Sequence, residues 1–297
     1  MRPGTVRQGM RFAPECVPCL LNRVLYEVQL VAPDRGEEAM ITSLAILDTH
    51  YKRGMNSAAL ATQVHRAAYD IAGSKDPYEE LKRRSDETAE KVYPRALRLI
   101  EEAEDSLEAA TVCAIAGNVL DFGIEVGIET PEQLERSFQT LVAEGLAVND
   151  LAQVRELLRR SKKVLYLLDN CGESVFDRLL VREIKRFGVR VIGVVKGEPI
   201  LTDVTMEDAK RAHLDREFDE IMSTGQFAVG LDIDRVGDRL AEELRSADLI
   251  IAKGMANFEA LSDEELGPIL YLMRAKCSPV ARAIGAKRND NVARLAL

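Results

Sequence analysis

Asp169, Asn170, Asp203 and Lys253 are the residues whose types and surroundings could do chemistry. Asp169 and Asn170 follow the apolar run from Val164 to Leu168. Cys171-Gly172 then turns the chain, and Glu173-Ser174 opens an amphipathic segment. So short an apolar run is a strand buried on both faces, and the stretch reads strand, polar turn, helix. In open α/β sheets, ligands bind outside the carboxyl ends of the strands. There a carboxylate and an amide side by side offer two hard oxygen ligands for Mg²⁺, Mn²⁺ or a similar ion. The competing reading is an Asp-Asn turn that only caps the next helix.

Other strand ends carry related chemistry. Val189 to Val195 is a second apolar strand ending in Lys196-Gly197, with Asp203 following in ILTDVT. A weaker strand at 219–222 ends in Ser223-Thr224-Gly225. Asp248 to Ala252 ends in Lys253-Gly254, with Asn257 a turn later, and 269–273 ends near Lys276-Cys277. Strands alternating with helices make a parallel sheet whose carboxyl ends share one edge. That edge would gather Asp169, Asn170, Asp203, Ser223, Thr224, Gly225, Lys253 and Asn257. Carboxylates that hold a cation, beside a lysine and turn N–H groups that hold anionic oxygens, suit metal-assisted phosphoryl chemistry.

The elements upstream read as helices. Residues 37–72 show apolar spacing of three and four, broken at Gly54, with Ser57 as the expected N-cap. Residues 77–105 continue as charged helix with Pro94 near a helix start; His50 and His65 read as ordinary helix residues. Ala109 to Phe122 is a small-residue, buried helix in which Gly117 lets another backbone come close. Asn118 and Asp121 either share a face of that helix, needing partners, or surface in a Gly-rich turn. Residues 131–161 are two further helices. Near the start, Cys16-Val17-Pro18-Cys19 has three readings: half of a metal site, a redox pair, or two small residues at a helix start. Cys277 lies just past a strand end, so Cys16, Cys19 and Cys277 are expected to meet at the seam of the helical and α/β parts, as a structural cluster or second metal site.

Composition sets the bounds. The chain has 297 residues, with 46% hydrophobic and 30% charged, a globular balance. A net charge of −9 disfavours nucleic acid and anionic membranes as partners. No apolar run approaches the ~20 residues that span a bilayer. The first residues have no apolar signal core, and five cysteines without a signal point to reduced thiols in a cytoplasm. We divide the chain into a helical part, 1–108, and an α/β catalytic part, 109–297.

The set CVPC, GNVLDFG, DNCGESVFD, KGEPILTDVT, STG and KGMANFE, in that order, resembles the damage-control phosphatase family, formerly a domain of unknown function (DUF89). The C-x-x-C start is similar to its prokaryotic branch, and the resemblance runs from Cys16 to about Val280. It implies a helical N-terminal part packed on a Rossmann-like, three-layer core with a mainly parallel sheet. It also implies a metal-dependent phosphatase acting on a small phosphorylated metabolite: a sugar phosphate, nucleotide or cofactor-precursor phosphate. By resemblance, Asp169, Asn170 and Asp203 would ligate Mg²⁺, Mn²⁺, Co²⁺ or Ni²⁺, and Lys253 would hold the phosphate. Asn118, Asp121 and Glu173 would approach the same pocket. A water on the metal, or one placed by Asp203 or Asp121, would attack phosphorus in line; Asp169 as covalent nucleophile is the other route. Cys171 stands where Ala is common, and Thr202 where Asn is common. One rival activity is an S-adenosylmethionine-dependent methyltransferase, disfavoured because no G-x-G turn follows the first strand. The other rival is a non-enzymatic metal or thiol protein built on the cysteines.

Overall fold

The computed structural model describes residues 9–117 and 131–297. Asn118 and Asp121 lie outside the described residues. The helical elements come first: α1 (Cys16–Val31), α2 (Gly36–His50), α3 (Ser57–Ala72), α4 (Glu79–Glu102), α5 (Ser106–Ala116) and α6 (Pro131–Ala143). Then β1 (Val148–Asn149), α7 (Leu151–Leu158), β2 (Lys163–Leu167), α8 (Glu173–Lys185), β3 (Arg190–Val195), α9 (Met206–Arg211) and β4 (Glu220–Ser223) alternate. The chain ends through α10 (Asp238–Ser246), β5 (Leu249–Lys253), α11 (Gly254–Leu261), β6 (Ile269–Arg274), α12 (Ser278–Ile284) and β7 (Asn291–Ala296).

The strands form one seven-stranded sheet in the order β1-β7-β6-β5-β2-β3-β4. All pairs are parallel except β6 with β7. Alternation along β2 shows how the layers form. Val164 and Tyr166 pack with Phe176 and Leu180 of α8 and Ile115 of α5, whereas Leu165 and Leu167 pack on the face with Leu240 of α10, Phe258 of α11 and Val280 of α12. The sheet is thus covered by helices on both sides, the three-layer arrangement expected. A separate core holds α1, α2 and α3 together through Val24 and Val28, Ala39 and Leu47, and Leu60 and Val64.

Three local expectations need correction. The N-cap of α3 is Asn56, not Ser57: the Asn56 side chain accepts from the N–H of Ala58. Pro94 lies inside the 24-residue α4, not near a helix start. A proline there forfeits one backbone bond, and the packing of Val92, Ala96 and Ile100 into the core sustains the helix through it. His65 is buried, its Nδ1 2.9 Å from Glu27 Oε1, so it joins α3 to α1 instead of sitting on an ordinary face.

Candidate active site at the carboxyl edge

Two chain segments meet beyond the carboxyl ends of β2 and β3. Val204 N–H donates to Asp169 O at 2.8 Å and Cys171 N–H donates to Thr202 O at 2.8 Å, an antiparallel bridge that sets Asn170 opposite Asp203. Neighbouring residues of a strand point to opposite faces, so Asp169 and Asn170 share a site only because β2 has ended. Gly172 then turns the chain at φ +77°, a conformation that side chains rarely adopt. Asp169, Asn170 and Asp203 are all buried.

Both N–H groups of the Asn170 amide are engaged. Its Nδ2 donates to Asp169 Oδ2 at 2.7 Å and to Glu173 Oε2 at 3.1 Å, while its Oδ1 accepts from Thr202 Oγ1 at 2.6 Å. A carbonyl oxygen has a second lone pair, so Oδ1 keeps one acceptor position. Gly254 closes the other side of Asp169: a Cβ there would come within 1.8 Å of Asp169 Oδ2. Two carboxylates and an amide oxygen, gathered on paired strand ends, are a donor set that fits a hard divalent cation. Among the described residues no group of three or more His, Cys, Asp and Glu side chains is set to hold a metal; this site has two carboxylates plus an amide.

Both Lys-Gly strand ends place a buried ammonium near this set. Lys253 is not presented at the sheet edge. Its Nζ ion-pairs with Glu173 Oε1 and, at 2.7 Å, with Asp177 Oδ1, and donates to Ala114 O at 3.2 Å. Burial alone would pull its pKa down, but the two carboxylates outweigh burial and push it up. Burial raises Asp177 to about 6, against the opposing pull of Lys253 and the hydroxyl of Tyr166, which donates to Asp177 Oδ1 at 2.7 Å. Glu173 therefore joins Lys253 on one oxygen to Asn170 on the other. Gly117 makes this layer possible, since a Cβ there would meet Glu173 Cα at 2.7 Å. Lys196, which the sequence reading left out of the site, lies with its Nζ 3.2 Å from Asp203 Oδ2 and donates to Gly230 O. The signal was available: β3 and β5 both end in Lys-Gly.

The remaining edge residues tie strand ends together. Asn257 Nδ2 donates to Lys253 O at 2.8 Å and to Leu168 O at 3.2 Å, joining the ends of β5 and β2. Thr224 Oγ1 accepts from Gly197 N–H at 3.0 Å, and Ser223 Oγ accepts from Gly225 N–H at 3.1 Å. Gly225 adopts φ +70°.

Cys16, Cys19 and Cys277 line one cavity of about 380 Å³, together with Ser57, His65, Glu259 and Lys276. Burial pushes the thiol of Cys16 up to about 11 and that of Cys277 to about 12. The three cysteines thus come together at one cavity.

Comparison with known proteins identifies the family and the fold. A family model described as the damage-control phosphatase ARMT1-like domain matches residues 12–292. A damage-control phosphatase of Archaeoglobus fulgidus is 42% identical over 288 residues, covering 96% of this chain and 99% of that protein. A damage-control phosphatase of Pyrococcus horikoshii is 34% identical over 283 residues, covering 93% and 94%. The crystal structure of a DUF89 family protein from P. horikoshii superposes with a TM-score of 0.85 at 33% identity, covering 96% of this chain and 99% of that one.

Proposed function

This chain belongs to the damage-control phosphatase ARMT1-like family, and we propose that it is a divalent-metal-dependent phosphomonoesterase acting on a small phosphorylated metabolite. The observation that carries the reading is the antiparallel pairing of Asp169–Cys171 with Thr202–Val204, which brings two carboxylates and an amide to one patch of the carboxyl edge. Asp169, Asn170 and Asp203 would hold the ion. When bound, a divalent ion draws charge from phosphate oxygens and lowers the pKa of water.

The chain's own groups supply the rest. Asn170 is oriented by Thr202 and Glu173, so its oxygen is fixed before substrate arrives. Lys196, beside Asp203, would take a phosphate oxygen, and Lys253 would act from below, through Glu173. In hydrolysis, water adds to phosphorus as the bond to the ester oxygen breaks, and the proton that the water gives up passes on to the departing alkoxide. Asp169 or Asp203 can accept the proton that the water gives up.

The test is phosphate release from an aryl phosphate, then from a panel of sugar phosphates, nucleotides and cofactor-precursor phosphates, with and without chelator. Chelation is expected to abolish activity and lower Tm, with Mg²⁺, Mn²⁺, Co²⁺ or Ni²⁺ restoring both. A hundredfold excess over Kd stabilises by about 2.7 kcal/mol. Asp169→Ala or Asp203→Ala should remove the response. Full activity in excess chelator with a metal-independent Tm would overturn the reading.

A further inference from the structure

One face of α4 carries Lys82, Asp86 and Glu90, four residues apart. On a helix that spacing makes a single stripe. The stripe faces inward: Lys82 and Asp86 are buried, and Glu90 sits at the rim. Each rung bonds to an element that leaves the carboxyl edge.

Asp86 Oδ1 accepts from the N–H of Gly172 at 2.6 Å, so it holds the turn that immediately follows Asp169 and Asn170. Its Oδ2 accepts from Arg211 Nε at 2.9 Å. Arg211 Nη2 in turn donates to Asp208 Oδ1 at 2.7 Å, and Lys82 Nζ lies 2.5 Å from Asp208 Oδ2 and 2.8 Å from Asp76 Oδ2. Asp208 also closes the capping box of α9 with Thr205, two residues beyond Asp203. Glu90 receives both outer nitrogens of Arg178 from α8, at 2.7 and 3.0 Å.

We propose that this stripe is a brace set by the helical layer between the two ligand-bearing turns, and that Asp86 is a positioning residue for the metal centre. The inference rests on the metal-dependent reading above. The turn after β2 is held through Gly172, the turn after β3 through Asp208, and Arg211 ties the two holds together. Buried ion pairs return little net stability, because desolvation offsets most of their attraction. Their use here is geometric: the side chains fix where Asp169 and Asn170 stand relative to Asp203. Groups that orient metal ligands from behind change metal affinity by about 10- to 100-fold when removed.

The test is titration of the intact protein with Mn²⁺ alone by calorimetry, with Tm measured beside it. Asp86→Ala is expected to weaken Mn²⁺ binding by at least about tenfold. Arg211→Met, which keeps Asp86 but removes the group that aims it, should weaken binding in the same direction. Glu90→Gln loosens α4 from α8 without touching either turn, so it should lower Tm and leave Kd unchanged. If Asp86→Ala does not fold, Arg211→Met decides by the same criterion. Wild-type Kd in Arg211→Met and in any folded Asp86→Ala would overturn the inference. So would losses in all three that simply follow Tm. A wild-type protein with no saturable Mn²⁺ binding would overturn the metal reading and this inference with it.

Discussion

Thr202 Oγ1 donates to Asn170 Oδ1 at 2.6 Å across the bridge that joins the two ligand-bearing turns. Thr202→Val keeps the shape and removes the donor, so the Asn170 amide loses the bond that fixes its oxygen. Mn²⁺ affinity should fall about tenfold, as for other groups behind a metal ligand. Thr202→Ser should restore it. Equal Kd values for Thr202→Val and wild type in a calorimetric titration would show that the bonds to Asp169 and Glu173 hold Asn170 without Thr202.

Lys253 is buried between Glu173 and Asp177. Removing one partner of such a group strands the others, at a cost of roughly 3–5 kcal/mol. Lys253→Met should therefore lower Tm, and should cut kcat/KM by about 10²-fold through the displaced Glu173. Adding Asp177→Asn removes one stranded charge and should recover part of the Tm. Thermal melts and steady-state kinetics on both variants test this. An unchanged Tm in Lys253→Met would refute the stranded-charge account.

Much of this site was legible because strand, turn and buried small-residue helix each leave a distinct pattern. The apolar runs of β2, β3 and β5, the turn at Gly172 and the close approach at Gly117 all follow from side-chain size and period. What stayed hidden was direction. Lys82 and Asp86 are the same residue types that cover a solvated helix face, and only packing against α8 and α9 turns them inward. Lys253 was expected at the edge, but Glu173 and Asp177, one turn apart on α8, draw it beneath. Two carboxylates at that spacing on the packed face of a helix were the available signal. β7 escaped notice because NVARLA is short and mixes polar with apolar residues. It pairs antiparallel with β6 and buries Val292 and Leu295 on opposite faces.

Glu259 gives the fold a pH dependence. Burial raises its pKa from the ordinary 4.5 to about 7, against the hydrogen bond from Ser57 Oγ at 2.5 Å. The native state then binds this proton more tightly than the unfolded chain does. Stability contributed by the group is present below about 4.5 and is lost as pH rises towards 7. Tm should thus fall across that window for this group's share, and Glu259→Gln should flatten the slope. Melts at half-unit pH steps would refute the assignment if wild type and Glu259→Gln ran parallel.

Lys196 and Lys253 end equivalent strands, yet only Lys196 pairs with a candidate metal ligand, its Nζ 3.2 Å from Asp203 Oδ2. A cation beside a ligand carboxylate opposes metal binding by like charge, and favours an anion brought to the same place. The two effects separate in one variant. Lys196→Met should leave Mn²⁺ affinity unchanged or slightly tighter, since a competing charge is gone. It should lower kcat/KM by about 10²-fold or more, the scale of one lost electrostatic stabiliser. It should also weaken competitive inhibition by inorganic phosphate, because the product loses the same contact. Ligand variants such as Asp203→Ala should instead lose metal and activity together. If Lys196→Met kept wild-type phosphate inhibition and kinetics, its ammonium would be a strut between Asp203 and Gly230, and the phosphate would have to be held by other donors of the edge.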